Sequence, residues 1–347
     1  MRFLCLGAGA IGTYIGVSLI HSGEEVTFVG QPASLPRIAE NGLSLKTING
    51  SVIKVEKPNL SNNALLSLHN APVDFIIWAV KSFDNPALIE ILMPVADRLP
   101  PIISLQNGVE NEAQLSAAFG SERIVPMSVC TAISRGERGL VKVEKLRGIG
   151  IASESLFADE LARHFTHAGL KPKIVANVAS MKWSKMITNL LANATSAILD
   201  MQPADIFRDP DGFELEKRQI LETLAVMERL SIPVVNLPGT PVKLLTRAIQ
   251  SLPRFLLQPA LVRAVGGSRG GKMPSFHIDL EAGRTRSEVT FLNGAVARIA
   301  EQNGMQAPVN YGLTKILTAM AEGSLSRVLY RNQPGKLLQA VLNPTNI

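Results

Sequence analysis

The chain opens on an apolar run that turns at glycines: Met1-Arg-Phe-Leu-Cys-Leu-Gly7-Ala-Gly9-Ala-Ile-Gly12. A short strand feeding G-x-G-x-x-G, with an apolar helical pattern behind it, predicts the first strand-to-helix turn of a doubly wound α/β sheet. Gly7 allows the tight turn, Gly9 lets the backbone approach a diphosphate, and Gly12 lets the helix lie close on the strand. The helix N-terminus then offers N–H groups that have no intrahelical acceptor. Ala8, Ala10 and Ile11 complete this candidate cofactor-binding turn. Phe3 to Ile20 carries no charge, a pattern that also fits a signal peptide or membrane anchor. Its glycines, and the new strand beginning at Glu25, favour the nucleotide site.

A length of 347 residues, 46% hydrophobic and 18% charged, predicts a two-domain globular protein. The two cysteines, Cys5 and Cys130, read as buried thiols of a reducing cytoplasm. The five histidines are scattered, so no metal is expected. The formal charge of +6 is concentrated in the second half: no acidic residue occurs from Arg229 to Ile278, against seven basic ones. That field suits anionic substrates or cofactors. With no aromatic-interleaved basic stripe, nucleic acid is not an expected partner.

Strand and helix patterns alternate through the first half. Strands are expected at Glu25–Gly30, Val73–Val80, Ile102–Leu105, Ile124–Ile133, Gly139–Glu144, Ile149–Ala152 and near Pro172–Val175. A hairpin is expected over Leu43–Val55 around Asn49-Gly50, and helices at Pro86–Leu99, Glu110–Phe119 and Leu156–Ala168. From Val178 the period becomes helical, with segments at about 180–200, 214–231, 241–252, 279–303 and 309–322. The expected division is a Rossmann-type dinucleotide-binding domain at 1–175 and an all-helical substrate domain at 176–347, with a ligand cleft at their junction.

Within 180–200, Lys185, Asn189 and Asn193 stand at i, i+4 and i+8, with Ser196 continuing the face; they read as a polar cleft wall or as a solvated face. Lys81 and Asn107 each follow a buried strand, at the end where doubly wound sheets bind ligands. Ser275 follows a glycine-rich stretch, Gly266–Gly271, and Glu288 precedes Asn293-Gly294. Tyr311-Gly-Leu-Thr-Lys315 has Y-x-x-x-K spacing but lies in the helical half, where Tyr311 reads as a packing residue.

Taken together, GAGAIG at Gly7–Gly12, AVKSFD at Ala79–Asp84, LQNGVEN at Leu105–Asn111, KMITNLLAN at Lys185–Asn193 and PSFHIDLEAGRTRSEVTFLNG at Pro274–Gly294 resemble the ketopantoate reductase (2-dehydropantoate 2-reductase) family. They occur in family order over nearly the whole chain. The resemblance implies a Rossmann domain followed by a helical domain like the C-terminal domain of 6-phosphogluconate dehydrogenase. It implies an NAD(P)-dependent reduction of a small-molecule 2-keto acid, ketopantoate first, in pantothenate biosynthesis. Carried over by residue, Lys185 is the general acid, and Glu288 holds the substrate hydroxyl and positions the lysine. Asn189 and Asn193 bind substrate oxygens, Ser275 the carboxylate, and Lys81 and Asn107 lie beside the nicotinamide and its ribose, with Asn107 also a substrate-binding residue.

Three departures stand out. Gln31 occupies the end of the second strand, where NADPH-using relatives usually place an arginine; Arg37 is the nearest cation, so NADPH is expected with NADH left open. Ala194–Asp205 lacks a further asparagine, which leaves other 2-keto or 2-hydroxy acids open as substrate. Residues 239–271 are longer than in compact members, with Lys243, Arg247, Gln250 and Arg254 along one edge. That segment reads as a lid, a subunit contact in a homodimer, or a helix packed on its own domain; a membrane is not an expected partner. A non-catalytic NADP-sensing protein is the alternative of a different class.

Overall fold

The computed structural model describes residues 1–136, 139–268 and 273–343, with side chains 266–268 left aside. The chain divides into two compact units, Met1–Met181 with Leu237–Thr240, and Lys182–Asn236 with Pro241–Ile347.

In the first unit the described strands are β1 (Arg2–Leu6), β2 (Glu25–Val29), β3 (Leu43–Lys46), β4 (Val52–Val55), β5 (Asn59–Ser61), β6 (Phe75–Trp78), β7 (Ile102–Ser104), β8 (Ile124–Val129), β9 (Ala132–Arg135), β10 (Leu140–Lys145), β11 (Ile149–Ala152) and β12 (Pro172–Val175). The helices are α1 (Ala10–His21), α2 (Leu35–Asn41), α3 (Ala64–Asn70), α4 (Asn85–Leu92), α5 (Asn111–Phe119) and α6 (Ala158–His167). The large sheet runs β12-β11-β8-β7-β6-β1-β2-β5, parallel except where β11 meets β8. The chain leaves β1 towards β2 and β5, then returns to β6 on the other side. The switch point of the sheet therefore lies between β1 and β6.

Both faces of this sheet are covered, so its central strands are apolar runs. Phe3, Cys5, Ile77 and Ile103 belong to one core, while Leu4, Leu6, Ile76, Trp78 and Ile102 belong to the other. Beside it stands a four-stranded sheet, β4-β3-β10-β9, in which β3 and β4 form the expected antiparallel hairpin. Helix α1 packs against β1 and β2 and also against β3, β4, β9 and β10. It is covered all round, and that is why Phe3–Ile20 needs no charge.

Two expected elements are divided in the structure. Ile124–Ile133 is two strands in different sheets, because Thr131 Oγ1 accepts from the N–H groups of Arg147 (3.2 Å) and Gly148 (2.9 Å) and turns the chain. Pro86–Leu99 is helical only to Leu92; Pro94, which has no N–H to donate, leaves Met93–Arg98 in a 3-10 helix.

The second unit is helical throughout its described residues. Its elements are α7 (Val178–Leu190, which begins in the first unit), α8 (Ala194–Leu199), α9 (Pro203–Arg208), α10 (Pro210–Arg229), α11 (Val242–Ser251), α12 (Arg254–Ser268), α13 (Ser275–Glu281), α14 (Asn293–Gln302), α15 (Pro308–Glu322) and α16 (Pro334–Leu342). Helix α10 is central: it touches α9, α11, α14, α15 and α16, and buries Phe213, Leu215, Ile220, Leu224 and Met227. The expected helix over 279–303 is three pieces: α13, a 3-10 turn at Glu288–Phe291, and α14. Of the glycine-rich stretch, Gly266–Ser268 end α12 and residues 269–271 lie outside the described residues. Tyr311 is 46% exposed on α15, and is therefore not the packing residue that its place in the helical half suggested. No helix among the described residues is long and apolar enough to cross a membrane.

Candidate active site

In the first unit, the residues expected to face a dinucleotide lie at or just beyond the carboxyl ends of parallel strands, except Arg37, which stands on α2. Register aligns Leu6 with Val29 and with Trp78, and Trp78 with Ser104, so the loops after β1, β2, β6 and β7 start level. Gly7 takes φ +105°, a conformation L side chains rarely adopt, and a Cβ there would stand 2.9 Å from the Ala79 carbonyl oxygen. The turn is thus pressed against the β6 loop at the switch point. A Cβ on Gly12 would strike the Gly7 carbonyl, whereas one on Gly9 would meet nothing within 4 Å. Gly9 is the N-cap of α1 and offers no side-chain cap. The N–H groups of Ala10, Ile11 and Gly12 are in the helix's first turn, beside the open space over Gly9. An uncapped helix start with an open face fits a diphosphate.

Gln31 and Arg37 are both exposed beyond β2; the Gln31 carbonyl accepts from Ser34, and Arg37 stands on α2. Lys81 is half-buried and leads into the 3-10 turn Ser82–Asp84. Asn107 is exposed; its carbonyl accepts from Asn111 Nδ2 at 2.7 Å and Ser82 Oγ at 3.4 Å. Sequence reading missed Arg135, whose Nη2 donates to the Ala8 carbonyl at 3.1 Å and places a cation at the glycine turn. Only the pairing of β9 into the small sheet brings it there, and no local pattern signals that. Cys5, beneath the turn, is fully buried, and desolvation pushes its thiol up to about 12. Both cysteines are buried thiols outside any disulfide.

In the second unit the face drawn through Lys185, Asn189, Asn193 and Ser196 is broken. Helix α7 stops at Leu190 and Ala192 takes φ +49°. The cause is Glu216, a buried carboxylate on α10, which accepts from Ala192 N–H at 2.7 Å and from Thr195 Oγ1 at 2.5 Å. It supplies a side-chain acceptor where helix continuation would have supplied a backbone carbonyl. Ser196 is fully buried in α8 and faces no cleft. Lys185 and Asn189 remain one turn apart on α7, both half-buried, with Thr188 Oγ1 donating to the Lys185 carbonyl at 2.8 Å.

The break swings Asn193 onto α13. Its Oδ1 accepts from Phe276 N–H at 3.2 Å and from Ser275 Oγ at 3.4 Å, which joins two expected substrate residues 82 positions apart in the chain. With Oδ1 held there, the amide presents its N–H2 group elsewhere. Ser275 is exposed. Glu288 is buried and opens a 3-10 turn capped by Ser287, whose Oγ accepts from Val289 N–H at 3.2 Å.

Asp200, His277 and Glu281 come close enough to offer one ligand atom each to a metal ion. Arg331 pairs with Asp200 at 2.7 Å and Arg327 with Glu281, while His277 Nε2 lies 2.8 Å from Asp200. Two guanidinium groups on the two carboxylates neutralise the cluster, which makes it an ion-pair knot that ties α8 to α13.

A doubly wound sheet with an uncapped glycine turn at its switch point, in a chain that continues as a helical unit, is an architecture that NAD(P)-dependent oxidoreductases use. Comparison with known proteins supplies the family. The profile described as ketopantoate reductase PanE/ApbA matches residues 3–153, and that of the PanE/ApbA C terminal matches 177–321. The chain belongs to the ketopantoate reductase family. A 2-dehydropantoate 2-reductase of Pyrococcus horikoshii is 27% identical over 328 residues, covering 92% of this chain and 97% of the relative. One of Halobacterium salinarum is 25% identical, covering 89% and 95%. Among solved structures, a PanE/ApbA family ketopantoate reductase of Ralstonia eutropha JMP134 superposes with TM-score 0.78 at 24% identity, covering 93% of this chain and 99% of that one. A D-mandelate dehydrogenase with NADH and anilino(oxo)acetate does so with TM-score 0.76 at 20% identity, covering 93% and 99%. These two structural likenesses concern the fold.

Proposed function

We propose that this protein reduces a 2-keto acid to the 2-hydroxy acid with a nicotinamide dinucleotide, NADPH ahead of NADH, and that ketopantoate is the first substrate to try. The observation that carries the reading is the glycine turn at the β1/β6 switch point, closed at Gly12 and open at Gly9. Gly7–Gly12 hold the diphosphate, Gln31 and Arg37 the adenosine end, and Lys81 and Asn107 the nicotinamide end. The bound cofactor supplies a hydride to the keto carbon.

The chain's own residues do the rest. Lys185 donates a proton to the oxygen as it becomes an alkoxide, and its ammonium stabilises that charge beforehand. Asn189 and Asn193 donate to substrate oxygens, the latter with its amide already oriented by Phe276 N–H. Ser275 holds the carboxylate, and Glu288 accepts from the product hydroxyl and orients the lysine. Residues 1–175 act as the dinucleotide domain and 176–347 as the catalytic one. A second reading keeps the chemistry on another 2-keto acid. It is favoured by Ala194–Asp205, which has no asparagine and whose first six residues are buried.

Lys185→Ala tests the mechanism. Turnover should fall by roughly 10²–10⁴ with dinucleotide affinity unchanged, as loss of a general acid requires. Turnover near that of the wild type would overturn it.

A further inference from the structure

Asn85 opens α4, is completely buried, and touches nothing that the proposed chemistry uses directly. All four of its amide hydrogen-bonding positions are nevertheless filled. Its Oδ1 accepts from Trp78 Nε1 at 2.9 Å and from Gln106 Nε2 at 2.7 Å. Its Nδ2 donates to Asn111 Oδ1 and Gln114 Oε1, each at 3.0 Å. An amide has two lone pairs and two N–H bonds to give, so this one is saturated.

Two of these partners continue into the loops that carry Lys81 and Asn107. Gln106 Nε2 also donates to the Val80 carbonyl at 3.0 Å, immediately before Lys81. Asn111 Nδ2 donates to the Asn107 carbonyl at 2.7 Å. A single buried side chain thus ties the loop after β6 to the loop after β7, from beneath, through one intermediary on each side. Backbone pairing between the two strands has ended by that point: the last register pair is Trp78 with Ser104.

We infer that Asn85 is a positioning residue for the nicotinamide end of the cofactor, acting on Lys81 through Gln106 and on Asn107 through Asn111. This rests on the functional reading above. The network reaches the loops after β6 and β7, while the glycine turn and the Gln31–Arg37 segment follow β1 and β2. Its loss should therefore weaken the nicotinamide half of the dinucleotide and spare the adenosine half.

The test is binding by titration calorimetry to the full-length protein, comparing NADPH with 2′-phospho-ADP-ribose, which lacks the nicotinamide; NADH and ADP-ribose form the parallel pair. Asn85→Asp keeps the shape and removes both N–H donors. Asn111→Ala removes the Asn107 latch and serves if the first variant does not fold. The dissociation constant for the intact dinucleotide should rise about tenfold or more in either variant, with that for the fragment within about twofold. Parallel weakening of both ligands would show a merely structural role and overturn the inference, as would no change in either ligand. A wild-type protein that binds neither pair would overturn the functional reading, and this inference with it.

Discussion

Gly9 and Gly12 are separated by less than one helical turn and face opposite constraints. Gly12 has no room for a Cβ because the Gly7 carbonyl occupies the space, so Gly12→Ala should destabilise the fold by about 3 kcal/mol. Gly9 has φ −77° and open space, so Gly9→Ala should leave thermal stability within a few degrees of wild type while dinucleotide binding is lost, since the methyl fills the diphosphate's place. Melting curves and binding titrations on the two variants read both effects; a Gly9→Ala variant that binds normally would contradict the account of the turn. The roles of these glycines are legible in sequence because turn chemistry is local. Asn85 was not legible, because its partners lie 7 to 29 positions away and only the sheet brings them together.

At the scale of elements, apolar periodicity finds helices well and their ends poorly. Residues 180–200 keep a helical pattern through the break at Leu191–Asn193, because the cause of the break lies in α10. Glu216 holds the turn between α7 and α8, so Glu216→Ala leaves the Ala192 N–H and Thr195 hydroxyl buried without it. Chemical denaturation should show a loss of about 2–3 kcal/mol, and Asn193 should lose its alignment with Ser275. The α8–α13 tie is pH-dependent. A hydrogen bond with His277 and the nearby Arg331 charge, against opposing desolvation, hold the Asp200 carboxyl below its ordinary value. A depressed carboxyl contributes stability above its unfolded pKa and loses that contribution as pH falls through its folded value. Relative to Asp200→Asn, the wild-type protein should therefore be more stable near pH 7. That advantage should shrink on acidification below about pH 4. A gap that stays constant with pH would remove this role.

For the molecule as a whole, the doubly wound class of the first half and the change from alternating to helical pattern were readable from residue spacing; the strand order was not. Nor was the small second sheet, beyond its β3–β4 hairpin. Its membership depends on β10 pairing with the distant β3, Leu140 beside Ser44, with β9 joining through its neighbour β10, and on α1 being apolar on faces that a helix on one sheet alone would leave polar. The candidate site was legible as a set of residue types at strand ends and along α7; the contact between Asn193 and Ser275 needed the fold. At this scale the reading comes down to one reaction, the conversion of a 2-keto acid by a reduced nicotinamide. Its most direct test follows cofactor absorbance with NADPH and with NADH at saturating ketopantoate and a panel of other 2-keto acids. One cofactor should be oxidised per hydroxy acid formed, on at least one member of the panel, with the rate roughly 10²–10⁴ lower in Lys185→Ala. Tight dinucleotide binding with no oxidation on any member would contradict the reading.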